Sequence, residues 1–139
     1  AIKSTGDRTG ISLMLNDEIN SFTMDHDRKD RPNWDMFLDN IGHKKIFSLS
    51  EIDLFAFENN QNSFTATRIT ASFLKGIAIA LKKPLISIED NSENHLNVEE
   101  LVIIAKDKFL SAEDADKRFD PKNVNPTYEE DIKFKKLNE

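Results

Sequence analysis

The sequence contains no cysteine, only four glycines and four prolines, and no apolar run long enough to cross a membrane. Without cysteine the chain forms no disulfide, no thiolate metal site and no thiol nucleophile. A membrane-spanning helix needs ~20 consecutive apolar residues, and the opening residues lack the basic end and apolar stretch of a signal peptide. We therefore expect a cytoplasmic protein that does not enter the membrane.

The chain is also short of positive charge. With 19 basic and 25 acidic residues, its formal charge is −6. A domain that binds nucleic acid by itself usually carries a basic face, so this balance favours an ordinary solvated surface, and contact with RNA would need a basic partner. The length of 139 residues and the 38% of hydrophobic residues are sufficient for one domain with a buried core.

Strand signals dominate the first part of the chain. Residues 1–4 form a candidate first strand. An apolar run, 10–15, and a candidate strand, 18–24, flank the dipeptide Asn16-Asp17, whose side chains are typical of tight turns. The pattern predicts an antiparallel hairpin that follows a first strand.

A helix is predicted over 32–41. Pro32 suits its first turn, where a missing N–H does no harm, and Gly42 suits the left-handed position just after its end. Apolar residues recur at the spacing of one helical face: Trp34, Phe37, Leu38 and Ile41. This face is therefore both apolar and aromatic.

The middle of the chain predicts a strand, a helix and a second strand. The run 52–57 is continuously apolar, as in a buried strand, and the run 85–88 follows a helix that Pro84 ends. That helix, over 66–82, has an apolar stripe at intervals of four: Ile69, Phe73, Ile77 and Leu81. Two strands joined through a helix of this length are parallel, so the segment is predicted to be a βαβ unit.

A polar segment divides the chain near its end. We expect residues 1–90 to form the main lobe, 91–96 a linker, and 97–139 a helix and irregular tail that pack on the same lobe. Asn97, followed three residues later by Glu100, is a capping box that starts this helix.

The sequence contains none of the catalytic or metal-binding motifs that we looked for in the spacing of its histidines and serines. The three histidines, His26, His43 and His95, do not have the spacing of metal ligands, and we expect them at the surface. No serine lies in the sequence pattern of a nucleophile elbow. The tripeptide Thr5-Gly6-Asp7 is either a plain hairpin connection or a phosphate-binding turn. The residues on their own favour a non-catalytic protein without a metal site.

The segment 63–84 carries a recognisable pattern. Nine positions define it: Ser63, Phe64, Thr65, Arg68, Ile69, Lys75, Gly76, Ala78 and Pro84. There the chain resembles the bacterial TsaB family, also called YeaZ, whose segment reads Gly-Pro-Gly-Ser-Phe-Thr-Gly-Leu-Arg-Ile-Gly, then Ala-Lys-Gly-Leu-Ala and a proline. A weaker match covers 97–109, 119–121 and 126–128. The chain thus resembles a TsaB-type protein that lacks most of its second lobe.

The resemblance implies a ribonuclease-H-like fold, of the kind shared by actin and Hsp70: a mixed five-stranded sheet with helices on both faces. It also implies a role. TsaB-like proteins pair with the catalytic subunit TsaD and, with the ATPase TsaE, place threonylcarbamoyl on the tRNA adenosine beside the anticodon, while TsaB itself is not catalytic. We therefore expect a TsaD-like partner, a TsaE-like ATPase in the same complex, and tRNA contact only through that complex.

Two sets of site residues follow from the resemblance. The family-motif set is Ser63, Phe64, Thr65, Arg68, Lys75 and Gly76. The partner-interface set is Trp34, Phe37, Ile41, Ile69, Phe73 and Ile77. For Arg68 and Lys75 a solvated or salt-bridged face stays open beside a partner contact, and for Trp34 and Phe37 the core is the alternative.

The resemblance also predicts weak or absent nucleotide binding. Lys3 stands where ATPases of this fold carry a metal-binding aspartate, and a cation there repels Mg²⁺. The family's glycines are replaced at 60–62, at Ala66 and at Thr70, which removes the bare main chain that a phosphate approaches. Ser63 or Thr65 is then expected to act mainly as the N-cap of the second helix.

Two other functions stay open at this point. One is a small nucleotide hydrolase or kinase of the same fold. The other is a homodimeric interaction module of a different pathway, with the aromatic helix as its contact surface.

Overall fold

The fold is built on one mixed sheet of five strands. This computed structural model describes residues 1–60, 63–89 and 96–125. The strands are β1 Ile2–Ser4, β2 Arg8–Leu15, β3 Glu18–Asp25, β4 Phe55–Asn59 and β5 Leu85–Glu89. They lie in the order β3-β2-β1-β4-β5, with β1, β2 and β3 antiparallel and β4 parallel to both β1 and β5. The predicted α/β class with a mixed five-stranded sheet is confirmed.

The turn between β2 and β3 forms as the sequence predicts. Asn16 and Asp17 both have positive φ, at 51° and 68°. Two successive residues in this conformation give a tight hairpin turn whose twist matches the strands, and Asn and Asp tolerate it better than most residues. Leu15 consequently pairs with Glu18.

The first helix, α1 (Trp34–Asn40), starts later than predicted. The side chain of Asn33 accepts a hydrogen bond from a first-turn N–H, so Asn33 is the N-cap and Pro32 precedes it instead of filling the first turn. Gly42 has φ +102° just after the helix, as expected, and a Cβ there would lie 2.7 Å from the Ile46 side chain. Conformation and space both require glycine at this turn.

The βαβ unit is present with shifted bounds. β4 starts later than the predicted strand, because a 3-10 turn, Leu49–Glu51, first redirects the chain. The second helix, α2 (Phe64–Leu81), starts earlier than predicted and ends at Lys82 in the left-handed conformation. β4 and β5 are parallel, as predicted.

One core lies between the sheet and the helices α1 and α2. Phe37 of α1 and Leu74 and Ala78 of α2 meet Ile2 and Phe57 of the sheet, and all five are buried. Each large apolar side chain buried in this way contributes about 1.5–3 kcal/mol relative to an exposed one.

A second core lies on the other face, under α3 (Val98–Ser111). Leu101 and Ala105 of this helix meet Ala56 and Ile86 of the sheet. The capping box of Asn97 and Glu100 is formed as predicted. A short helix α4 (Ala115–Arg118) and a 3-10 turn, Pro121–Asn123, follow.

α2 is long and apolar enough to cross a membrane by length and composition, and 33% of it is buried. Its buried residues pack on the sheet, as Leu74 and Ala78 illustrate. The core helix of a globular domain passes the same test, so one helix of this kind is weak evidence for a membrane span.

Several predictions fall outside the described ranges. These are the loop positions 61–62, nearly all of the 91–96 linker, His95, the 126–128 match and the tail to 139.

Candidate functional site

A cleft opens at the carboxyl end of β1, beside the amino terminus of α2. Its volume is about 360 Å³, and its walls come from the β1–β2 turn, the segment after β3 and the first turns of α2. Ser4, Gly6, Arg28, Ser63 and Ile69 are among the lining residues. In open α/β sheets ligands bind outside the carboxyl ends of the strands, so this cleft is the first candidate site.

Ser63 links the two sides of the cleft. It occupies the N-cap position of α2, but its hydroxyl donates a 3.0 Å hydrogen bond to the main-chain oxygen of Thr5. The side chain therefore faces the β1–β2 turn and makes no cap hydrogen bond, and Thr65 lies inside the helix. Ser63 is thus the N-cap residue, as predicted, but its side chain makes no capping hydrogen bond, because the β1–β2 turn brings the Thr5 carbonyl within its reach.

A chain of hydrogen bonds leads from the cleft to β3. Ser4 Oγ and Thr9 Oγ1 are 2.9 Å apart, and Thr9 Oγ1 and His26 Nε2 are 2.7 Å apart. His26 Nδ1 lies 3.0 Å from the main-chain oxygen of Asp27. A carbonyl oxygen only accepts, so in the neutral form of His26 the proton is on Nδ1, Nε2 accepts from Thr9, and Thr9 accepts from Ser4.

This relay points a serine proton toward a histidine, yet it is poorly suited to nucleophilic catalysis. In hydrolase triads a buried carboxylate stabilises the imidazolium that forms when the histidine takes the proton. Here the third group is a neutral main-chain carbonyl, and a second hydroxyl separates Ser4 from His26. The network joins β1, β2 and the end of β3, which is a structural role. The sequence reasoning missed it, because only strand pairing brings His26 to Thr9.

Lys3 forms a buried ion pair on the α3 side of the sheet. Its Nζ lies 3.2 Å from Glu58 Oε2 and donates to the main-chain oxygen of Leu96. The Glu58 side chain is fully buried, and that of Lys3 is 17% exposed. The pair forms because Ile2 and Phe57, the neighbours of these residues, are paired across β1 and β4.

The Lys3–Glu58 ion pair leaves little room for a metal ion at this position. A divalent cation there would have to displace an ammonium that already has a carboxylate and a carbonyl as ligands. Within the described ranges no group of three or more His, Asp or Glu side chains is arranged to hold a metal ion.

The motif residues on α2 divide between the cleft and the solvent. Ser63, Phe64 and Thr65 line the cleft, and Lys75 donates a 2.8 Å hydrogen bond to Asn125 Oδ1. Thr65, Arg68 and Gly76 lie on one exposed stripe of the helix, whose five members follow one another at intervals of three or four residues. We call this stripe the open face of α2: Thr65, Arg68, Ser72, Gly76 and Ile79.

Gly76 is the unusual member of the open face. A Cβ added there would meet no heavy atom within 4 Å, so the packing of the described residues does not require glycine. Glycine inside a helix costs about 1 kcal/mol relative to alanine. Next to it, Ile79 is 39% exposed. A glycine without a neighbour is suited to the close approach of another backbone.

The partner-interface set is split by burial. Phe37 and Ile41 are 0% and 4% exposed and belong to the core, so they offer no contact surface. Trp34 stacks on Phe73 with ring centroids 4.5 Å apart and planes 7° apart. Ile69 and Ile77 are, like these two, partly buried, so four of the six candidates reach the surface.

Two solved structures from Pseudomonas aeruginosa share this architecture. One is YeaZ, and the other is an uncharacterized protein with similarity to the peptidase YeaZ. Both have a TM-score of 0.53 and 24% identity, and they cover 64% of this chain. The chain has the YeaZ fold.

The YeaZ fold is ribonuclease-H-like, so the predicted fold class is confirmed. This structural similarity agrees with the sequence resemblance of residues 63–84 to the TsaB (YeaZ) family. The chain spans 42% and 41% of the lengths of these two structures. No family model and no curated protein matches the sequence.

Proposed function

We propose that this chain is a TsaB-like, non-catalytic partner protein in the threonylcarbamoyladenosine modification of tRNA, and that it docks on a TsaD-like subunit. The open face of α2 is the observation that carries the proposal. Thr65, Arg68 and Gly76 belong both to the family pattern and to this exposed stripe. Exposed residues that match the family pattern can contact another protein without disturbing the core, which supports the proposal.

The chemistry of the open face suits a helix as its counterpart. Thr65, Ser72 and Gly76 are small, which lets a second helix approach closely, and the distance between packed helices depends on the side chains at the contact. Arg68 adds a cation and Ile79 an apolar contact. The Trp34–Phe73 stack lies beside this stripe and supplies the aromatic surface that interface centres favour.

Co-elution with the TsaD-like subunit of the same organism tests the proposal. We expect the mixture to run as one complex in size exclusion, with tRNA bound only when that subunit is present. A stable homodimer of this chain that leaves the TsaD-like subunit behind would overturn the proposal and favour the interaction module of a different pathway.

Replacing Gly76 by leucine separates folding from docking. A Cβ at this position has no heavy atom within 4 Å apart from the helix's own neighbouring backbone, and leucine is a better helix former than glycine, so we expect the melting temperature to stay equal or rise. The same side chain blocks close helix approach, and we expect binding of the TsaD-like subunit to weaken roughly 30-fold, measured by calorimetry.

The matched control is Asp107→Leu, which adds the same side chain at an exposed position of α3. It should leave binding unchanged. If both variants bind as the unsubstituted chain does, α2 is not the docking surface.

A nucleotide hydrolase of the same fold is the rival function, and the Lys3–Glu58 pair is the observation against it. Titration with ATP and Mg²⁺ should give no binding heat. Micromolar binding accompanied by turnover would replace our proposal with the enzyme.

A further inference from the structure

The strand β3 forms one edge of the sheet, and its outer side is open. β3 pairs with β2 without a bulge over all 8 of its residues, from Glu18 to Asp25. At the opposite edge, the N–H of Leu85 in β5 bonds to the Phe119 oxygen, so the segment after α3 covers part of that strand. Within the described ranges no main-chain hydrogen bond reaches the outer side of β3. An uncovered edge strand of this length is a template for pairing with a further strand.

The sequence of β3 lacks the features that usually prevent such pairing. Edge strands that stay unpaired commonly carry lysine, proline or a bulge. β3 reads Glu-Ile-Asn-Ser-Phe-Thr-Met-Asp, with no proline and no basic residue, and its two carboxylates stand at its ends. The middle of the strand is uncharged and regular, so another strand can lie against it.

The phase of the hydrogen bonds shows which residues of β3 direct their main-chain groups outward. The N–H of His26, just after the strand, bonds to the Asp7 oxygen ahead of β2. Successive residues of a strand direct their N–H and C=O groups to opposite sides, so the even-numbered residues of β3 bond to β2. The outward groups belong to the odd-numbered residues: Ile19, Ser21, Thr23 and Asp25.

These outward residues are complementary to a second copy of themselves. When a second β3 lies antiparallel about a two-fold axis at Phe22, Ile19 pairs with Asp25 of the second copy and Ser21 with Thr23. Every contact of a two-fold interface occurs twice, so all of the outward residues exchange hydrogen bonds. A shift of two residues in either direction leaves one of them beyond the end of the opposing strand.

The side chains nearest the axis match in the same register. Phe22 faces its own copy at a position without hydrogen bonds, where opposing side chains come closest and an aromatic pair is stabilising. Its ring contacts Phe37 at a centroid distance of 5.3 Å and is only partly buried, so it has surface left to cover. On the other face of the sheet, Ser21 lies opposite Thr23, another favourable cross-strand pair.

The register also keeps the carboxylates of the two strands apart. Glu18 lies opposite His26 of the second copy, and Asp25 lies opposite Ile19. Asp25 is paired within its own chain with Arg8, whose Nε is 3.6 Å from Asp25 Oδ1. Like charges directly opposite each other would destabilise the pairing, and this register has none within β3.

We propose that the outer edge of β3 is a self-association surface, at which two copies of this chain pair their β3 strands about Phe22 and join two five-stranded sheets into one. The proposal is independent of docking on a TsaD-like subunit. α2 packs on β1, β4 and β5, at the other end of the sheet from β3, so the dimer leaves the open face of α2 uncovered.

Replacing Thr23 by proline tests the pairing in the full chain. The Thr23 N–H points outward, so proline removes a bond of the dimer and none of the β2–β3 ladder, and proline is tolerated at such edge positions. We expect sedimentation to show a dimer with a micromolar dissociation constant, which Thr23→Pro raises roughly 30-fold. The matched control Thr23→Ala keeps the N–H and should keep the dimer.

Cysteine cross-linking tests the register, because the chain has no cysteine of its own. Asn20 lies opposite Met24 of the second copy at a position without hydrogen bonds, where the Cα atoms are close enough for a disulfide. Two copies of the same position lie about 13 Å apart along the strand, beyond that reach. We expect a mixture of Asn20→Cys and Met24→Cys chains to cross-link on mild oxidation roughly tenfold faster than either variant alone.

A monomeric chain whose cysteine mixture cross-links no faster than its separate variants would overturn the proposal. A dimer that Thr23→Pro leaves intact would also overturn it, since the copies would then meet elsewhere. If Thr23→Pro does not fold, as judged by circular dichroism, the cross-linking rates decide. A dimer that fails to bind the TsaD-like subunit would contradict the proposed function and leave the β3 pairing standing.

Discussion

A Lys3→Met variant is expected to lose about 3–5 kcal/mol of its free energy of unfolding. The substitution keeps the length of the side chain but removes the ammonium that lies 3.2 Å from Glu58 Oε2. Glu58 then stays fully buried without the Lys3 ammonium, and removing one member of a buried ion pair is strongly destabilising. Urea unfolding followed by circular dichroism measures the loss.

Two further variants decide whether the ion pair is the cause. Lys3→Met combined with Glu58→Leu should recover most of the stability, because an apolar pair of similar volume replaces the two charges. Lys106→Met removes the cation of an exposed pair, whose Nζ lies 2.7 Å from Asp17 Oδ1, and should have a far smaller effect. If Lys3→Met and Lys106→Met behave alike, the buried pair does not stabilise the sheet in the way proposed.

Folding stability of the 139-residue chain is expected to rise as the pH increases from about 5 to 8. Burial lowers the pKa of the Ala1 amine from 8.0 to about 5, because the charged form loses its solvation. Between these values the unfolded chain holds the proton and the folded chain does not, so folding releases a proton and is favoured at higher pH. A pKa difference of about three corresponds to a free-energy change of about 4 kcal/mol.

N-terminal acetylation isolates this contribution. The acetylated amine has no charge to lose but keeps the N–H that donates to the Ser12 oxygen. The difference in unfolding free energy between the two forms, measured in urea at pH 5 and pH 8, should be large at pH 5 and small at pH 8. A constant difference would show that the amine keeps its proton on folding.

The site could be predicted in part. The pattern at 63–84 identified the motif residues, and the spacing of apolar residues placed them on a helix. Apolar periodicity says which side of a helix is buried, but it does not say whether the polar side meets solvent or another part of the domain. Lys75 contacts Asn125, whereas Thr65 and Gly76 face outward, and that distinction comes from the path of the C-terminal segment.

The sequence by itself determined the order and type of the helices and strands. Helix and strand periodicity, the Asn16-Asp17 turn and the Asn97 cap all depend on residues that are close together in the chain. Only the tertiary structure decided which distant residues meet. Lys3 reaches Glu58 because β1 and β4 are neighbours, and His26 reaches Thr9 because β2 and β3 are paired. Such contacts depend on strand order, which no local pattern in this chain encodes.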